Sequence, residues 1–191
     1  MHEHCQVDLR KYCSPIENQG SLGSCTGQSI AGAIELLNKR GGKHNDVSRL
    51  FIYYYERLIL GTVNYDSGAY IRDGIKATNK YGASLESLWP HDIRKFRQEP
   101  ITEAKNDALN RKVTRYERVN DFDGCIDALT NGYPVIIGFH VYQSFMSSNV
   151  ARTAAVSSSE LPINNPELSY SSCKEGGAKF SMQAISSFIF I

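Results

Sequence analysis

Asn18-Gln19-Gly20-Ser21-Leu22-Gly23-Ser24-Cys25, running directly into Thr26-Gly27-Gln28-Ser29-Ile30-Ala31-Gly32-Ala33-Ile34-Glu35, decides how the rest of the chain is read. Ile30, Ala33, Ile34 and Leu37 recur at helical spacing, which predicts a helix over residues 25–39 ended by Gly41-Gly42. The Cys25 sulfur then sits in the first turn, where amide donors and the helix dipole favour negative charge and ease thiolate formation. Gln19, six residues earlier, brings a side-chain NH2 able to hold an oxyanion, and Gly20 and Gly23 let the backbone turn between the two. A nucleophile and an oxyanion donor thus fall within seven residues. The plain alternative, a small buried cysteine at a helix start, is weakened by the glutamine and glycines beside it.

At 191 residues the chain can form one substantial domain, or two small lobes sharing a core. Its 21 basic and 20 acidic residues nearly cancel, which argues against a nucleic-acid partner. The five cysteines (5, 13, 25, 125 and 173) are odd in number and lack Cys-x-x-Cys or Cys/His spacing. No metal or cofactor is therefore expected, and His2 and His4 read as part of a polar terminus. Cysteine usage predicts a cytoplasmic or otherwise reducing compartment. Neither a signal-peptide core nor a span approaching the roughly 20 apolar residues of a transmembrane helix is found, so no membrane partner is expected.

Along the chain, Val7–Arg10 followed by Ser14-Pro15-Ile16 reads as a short extended opening segment. Ser48 caps a second predicted helix whose apolar stripe is Leu50, Phe51, Tyr54, Tyr55 and Leu58, with Arg49, Glu56 and Arg57 on its polar side. A loop over residues 61–68 leads to a third helix from Tyr70 to Tyr81, stopped by Gly82. Trp89-Pro90 closes a turn with one buried-type aromatic, and residues 102–112 form a polar surface helix or loop. From Arg115 the period becomes that of strands, interrupted by a short helix over Asp123–Asn131, and Val135–Tyr142 is the clearest strand. Ser186–Ile191 resembles an arbitrary hydrophobic tail more than a closing strand.

The run around Cys25 resembles the active-site segment of papain-like cysteine peptidases, Asn-Gln-Gly-x-Cys-Gly-Ser-Cys-Trp followed by a helix. Asn18, Gln19, Gly20, Gly23, Ser24 and Cys25 match it, and Glu35 stands at the usual place. Leu22 replaces a disulfide cysteine and Thr26 replaces the tryptophan. Ser48–Tyr54 and Asp66-Ser67-Gly68-Ala69 with Ile71-Arg72-Asp73-Gly74 resemble the second helix and cleft loop of the microbial and viral type, which lacks a pro-segment. The resemblance covers residues 7 to about 146. It implies an α+β, two-lobe fold in one domain, 1–191: a mainly helical lobe over 7–115 and an antiparallel β-lobe over 116–191, divergent from 147. It also implies thiol-dependent hydrolysis of a peptide or protein, with Cys25 as nucleophile, Gln19 as oxyanion donor, and Gly23 and Gly68 holding substrate backbone.

The resemblance requires an imidazole about 130–150 residues after the cysteine, and an asparagine to orient it. Glu175-Gly176-Gly177 falls at that distance but is followed by Ala178, no histidine follows His140, and Asn-Ser-Trp-Gly is absent. This predicts a reading frame or gene damaged somewhere after Phe145, testable by translating the coding DNA in the other frames. His140, on the same strand face as Gly138, is the candidate substitute base. His44 and His91 fall in loop positions and are poor candidates. Without an imidazole the Cys25 thiol stays mostly protonated at neutral pH. A peptidase, a catalytically inactive peptide-binding module and a truncated remnant all remain consistent with these residues.

Overall fold

A computed structural model describes residues 7–138 and 188–190. Three helices build its centre: α1 (Cys25–Arg40), α2 (Arg49–Leu60) and α3 (Ile71–Tyr81). Helix α2 packs against both of the others, which also touch each other. Ser48 caps α2 by accepting a hydrogen bond from the Phe51 N–H at 3.1 Å, and Gly82, at φ +80°, ends α3. Ile30, Ala33 and Ile34 of α1 meet Ile52 of α2 and Ile71 and Ile75 of α3 in one buried cluster. A second cluster joins Leu22, Leu50, Phe51, Tyr53, Ala77 and Trp89, and the Tyr55 and Tyr81 rings stack with centroids 4.3 Å apart.

Helix α2 departs from the amphipathic pattern. Arg49, Glu56 and Arg57, expected on a solvated face, are all buried, whereas Leu58, expected on the apolar stripe, is 41% exposed. The reason is that α2 packs against both α1 and α3, where its polar side chains find partners that include distant residues. Arg49 pairs with buried Glu35 at 3.2 Å and with Asp46 at 2.9 Å. Thr26 donates its hydroxyl proton to Glu56 Oε2 at 2.6 Å. Arg57 donates to the carbonyls of Val63 at 2.7 Å, Tyr65 at 3.1 Å and Phe96. These buried polar groups are thus held in part by residues that no local periodicity reveals.

Close approach of α3 to its neighbours depends on Gly74. A Cβ there would lie 2.2 Å from Glu56 Oε1 and 2.3 Å from Ile30 Cδ1. Gly74→Ala is therefore expected to lower stability by about 2 kcal/mol despite the better helix propensity of alanine. Urea denaturation checks this, and an unchanged or raised midpoint would contradict the packing described.

The sheet adds β1 (Tyr116–Arg118), β2 (Val135–Ile136) and β3 (Phe188–Phe190), with helix α5 (Phe122–Thr130) between the first two in sequence. A seven-residue helix, α4 (Thr102–Ala108), precedes them, packing Ala104 and Ala108 into the core. The sheet order is β1-β3-β2, and both pairings are antiparallel. Tyr116 stands opposite Phe190, and Val135 opposite Ile189. The segment read as an arbitrary tail therefore supplies the central strand. Its partners are more than 50 residues away in sequence, which a local reading does not register. Ile136 of β2 packs against the α1 cluster, which sets the sheet on the helical lobe. The opening segment also differs from its extended reading. The Asp8 carboxylate accepts the Arg10 N–H at 2.9 Å, and Arg10–Tyr12 form a single 3-10 turn. Of the strand expected over Val135–Tyr142, residues from 139 onward lie outside the described part.

Candidate active site

Cys25 is the first residue of α1. The Ser24 N–H donates to the Leu22 carbonyl at 2.8 Å, and the Gln28 N–H donates to the Ser24 carbonyl at 3.0 Å, closing the turn that launches the helix. Ser24, Cys25 and Thr26 are all buried, with Cys25 only 6% exposed. Gln19 stands half-buried beside this turn, and its side-chain amide donates to the Leu22 carbonyl at 2.9 Å. That bond fixes the amide against the backbone leading to Cys25.

Burial pushes the Cys25 thiol above its ordinary pKa. The Thr26 amide favours the thiolate, but the carboxylates of Glu56 and Asp66 oppose it. The eased ionisation expected from the helix terminus is thus reversed, because desolvation and two acidic neighbours outweigh the amides. Glu56 itself is fully buried and pushed up to about 8 by that burial, with Thr26 and Arg57 opposing the shift.

Facing Cys25's turn is the loop carrying Asp66 and Gly68. The Gly23 N–H donates to the Asp66 carboxylate at 3.0 and 3.1 Å. Tyr53, from α2, donates its hydroxyl proton to Asp66 Oδ1 at 2.5 Å and accepts the Gly68 N–H at 3.1 Å. The Gly68 carbonyl accepts from the Ser67 hydroxyl at 3.0 Å. Gly23 and Gly68 are thus brought together, on opposite sides of one hydrogen-bonded chain.

Comparison with known proteins gives this arrangement its context. The chain is 43% identical over 162 residues, 78% of its length, to an uncharacterized peptidase C1-like protein of Acanthamoeba polyphaga mimivirus, of which it covers 51%. Among solved structures, xylellain, a cysteine protease from Xylella fastidiosa, is 39% identical with a TM-score of 0.61. Over the part it shares with them, the chain is similar to papain-like cysteine peptidases. It spans about half the length of both relatives, matching 54% of xylellain with 68% of itself. A digestive procathepsin L 3 of Tenebrio molitor larval midgut, 21% identical with a TM-score of 0.55, shares the fold over 68% of this chain and 42% of its own. No family model matches the chain.

Against the papain-like pattern, the two departures have different surroundings. Leu22, in place of a cysteine, is 4% exposed and packs in the cluster with Trp89. Thr26, in place of tryptophan, serves the buried Glu56 carboxyl. His140, the candidate substitute base, lies outside the described residues, as do Gly176 and Gly177. His91 is placed closer to the site than its loop position suggested, its Nε2 being 3.4 Å from the Gln19 carbonyl. Among the described residues no helix is long and apolar enough to cross a membrane. Sequence reasoning missed Tyr53 and Asp66 as site residues. Asp66 was visible only as part of a loop, and Tyr53 was hidden in an aromatic run.

Proposed function

We propose that this chain is a cysteine-type peptidase site that binds an extended peptide across Gly23 and Gly68, with Cys25 as the attacking thiol. The observation that carries this reading is the convergence of the Cys25 turn, the Gln19 amide and the Gly68 loop at the N-terminus of α1. In the reaction, the Cys25 sulfur adds to the peptide carbonyl and its proton passes to a base. A second N–H of Gln19, beyond the one given to Leu22, stabilises the oxyanion together with the helix-terminal amides. His140 is the sequence's candidate for that base.

The raised thiol pKa favours a site that binds better than it cleaves. General acid–base catalysis supplies about 10²–10⁴-fold, so a site without an efficient base falls from the usual ~10 s⁻¹ to about 10⁻¹–10⁻³ s⁻¹. The test measures hydrolysis of fluorogenic dipeptide amides and binding of the same peptides, with Cys25→Ala as the blank. Slow hydrolysis that vanishes in the blank, with binding retained in both, is expected. Absence of binding would overturn the peptide site, and turnover near 10 s⁻¹ would overturn the protonated resting thiol.

A further inference from the structure

Tyr53 takes no part in the chemistry just described, yet its hydroxyl lies at the centre of the hydrogen bonds that join the two glycine segments. It is fully buried, and a phenol carries one proton. That proton goes to Asp66 Oδ1 at 2.5 Å, which leaves the oxygen to accept the Gly68 N–H at 3.1 Å. Asp66 in turn accepts the Gly23 N–H at 3.0 Å. The result is a continuous chain, Gly68 N–H to Tyr53 O–H to Asp66 to Gly23 N–H, spanning from one glycine to the other.

The span is short. A Cβ on Gly23 would stand 3.1 Å from Asp66 Oδ1 and 3.6 Å from the Gly68 nitrogen, and a Cβ on Gly68 would stand 3.9 Å from the Gly23 carbonyl oxygen. Tyr53 is itself held in place. The Arg57 guanidinium lies 4.1 Å from its ring centroid, and Arg57 Nε donates to its carbonyl at 3.2 Å. Burial, the hydrogen bond to Asp66 and the Asp66 charge all push the phenol above the tyrosine range, so the donor proton stays in place at neutral pH.

We propose that Tyr53 is a positioning residue that fixes the separation and orientation of Gly23 and Gly68, and so sets how an extended peptide is presented to Cys25. This rests on the peptide-site reading above. An amide held by a rigid, buried partner loses less freedom when a ligand docks beside it, so the tie acts on peptide affinity and not on the intrinsic reactivity of the thiol.

The test compares alkylation of Cys25 by a dipeptidyl chloromethyl ketone with alkylation by iodoacetamide, near pH 9 where thiolate is present. Modification is read at Cys25 by mass spectrometry, with Cys25→Ala as the blank. Tyr53→Phe keeps the ring and its contact with Arg57 and removes only the hydroxyl. Cooperative thermal unfolding confirms that the variant is folded. About a tenfold rise in the peptidyl reagent's half-saturating concentration is expected, with the limiting rate and the iodoacetamide rate within twofold of the parent's. Asp66→Asn, which keeps one acceptor oxygen, should show a smaller rise. A parent-like preference for the peptidyl reagent in Tyr53→Phe would overturn the role of Tyr53 alone. Equal loss with both reagents would also overturn it, since that reports general damage. A parent protein showing no saturable preference for the peptidyl reagent would overturn the peptide site, and this proposal with it.

Discussion

Arg57→Met is expected to destabilise the protein by about 3–5 kcal/mol, which places it among the most damaging single substitutions in the chain. The guanidinium is fully buried and donates to the carbonyls of Tyr53, Val63, Tyr65 and Phe96. Methionine fills much of the volume but donates nothing. An acceptor left without a partner away from water costs about 1–3 kcal/mol, and three of the four, part-buried, lie in connecting segments outside the helices. The rings of Tyr53 and Phe96 also lose a cation at 4.1 and 5.1 Å from their centroids. The local consequence follows from Val63 and Tyr65, which lead into Asp66 and Gly68. Loosening them should weaken peptide binding even where the fold survives. Urea denaturation with an unchanged m-value checks the global cost. A loss below about 1 kcal/mol would contradict the clamp described.

Glu56→Gln should act in the opposite direction, and its effect should depend on pH. Burial pushes the Glu56 carboxyl up to about 8, far above the ~4.3 of an exposed glutamate. Between those values the folded chain keeps a proton that the unfolded chain has released. Stability contributed at this position is therefore fully present at low pH, declines as pH rises from about 4.3, and levels off above about 8. Glutamine stays neutral throughout and still offers an oxygen to the Thr26 hydroxyl. The variant should gain on the parent by about 3–5 kcal/mol at pH 8 and by much less at pH 5. Titrating groups not coupled to Glu56, including the raised Glu35 and Glu86, are common to both proteins and cancel in the difference. Denaturation of both proteins at the two pH values checks this, and a gap that does not widen with pH would contradict it.

These two residues also mark where the sequence stopped being legible. The start of α1, the Ser48 cap and the Gly82 stop are written locally, in residues within a turn of one another, and the structure has them where the sequence placed them. Arg49, Glu56 and Arg57 look like a solvated helix face because the residues that satisfy them (Glu35, Thr26 and Phe96) lie 14 to 39 positions away. The same limit hid Phe188–Phe190, whose pairing with Tyr116–Arg118 and Val135–Ile136 is wholly nonlocal. At the candidate site, Cys25, Gln19 and the glycines could be named from a short motif. Tyr53 could not, because its importance comes from Asp66 and Gly68, 13 and 15 residues along the chain. The easing of Cys25 ionisation expected from the helix terminus alone fails for a related reason. A motif displays the helix-terminal amides but not the burial or the Glu56 charge.

The pH dependence of Cys25 alkylation by iodoacetamide, with Cys25→Ala as the blank, tests the central claim that this is a peptide site whose thiol rests protonated. The account predicts a rate that is low at neutral pH and rises only above the free-thiol pKa of about 8.5. A rate already at its plateau near pH 5 would contradict it, because only a thiolate paired with a cation stays reactive there, and His140 would be the next residue to replace.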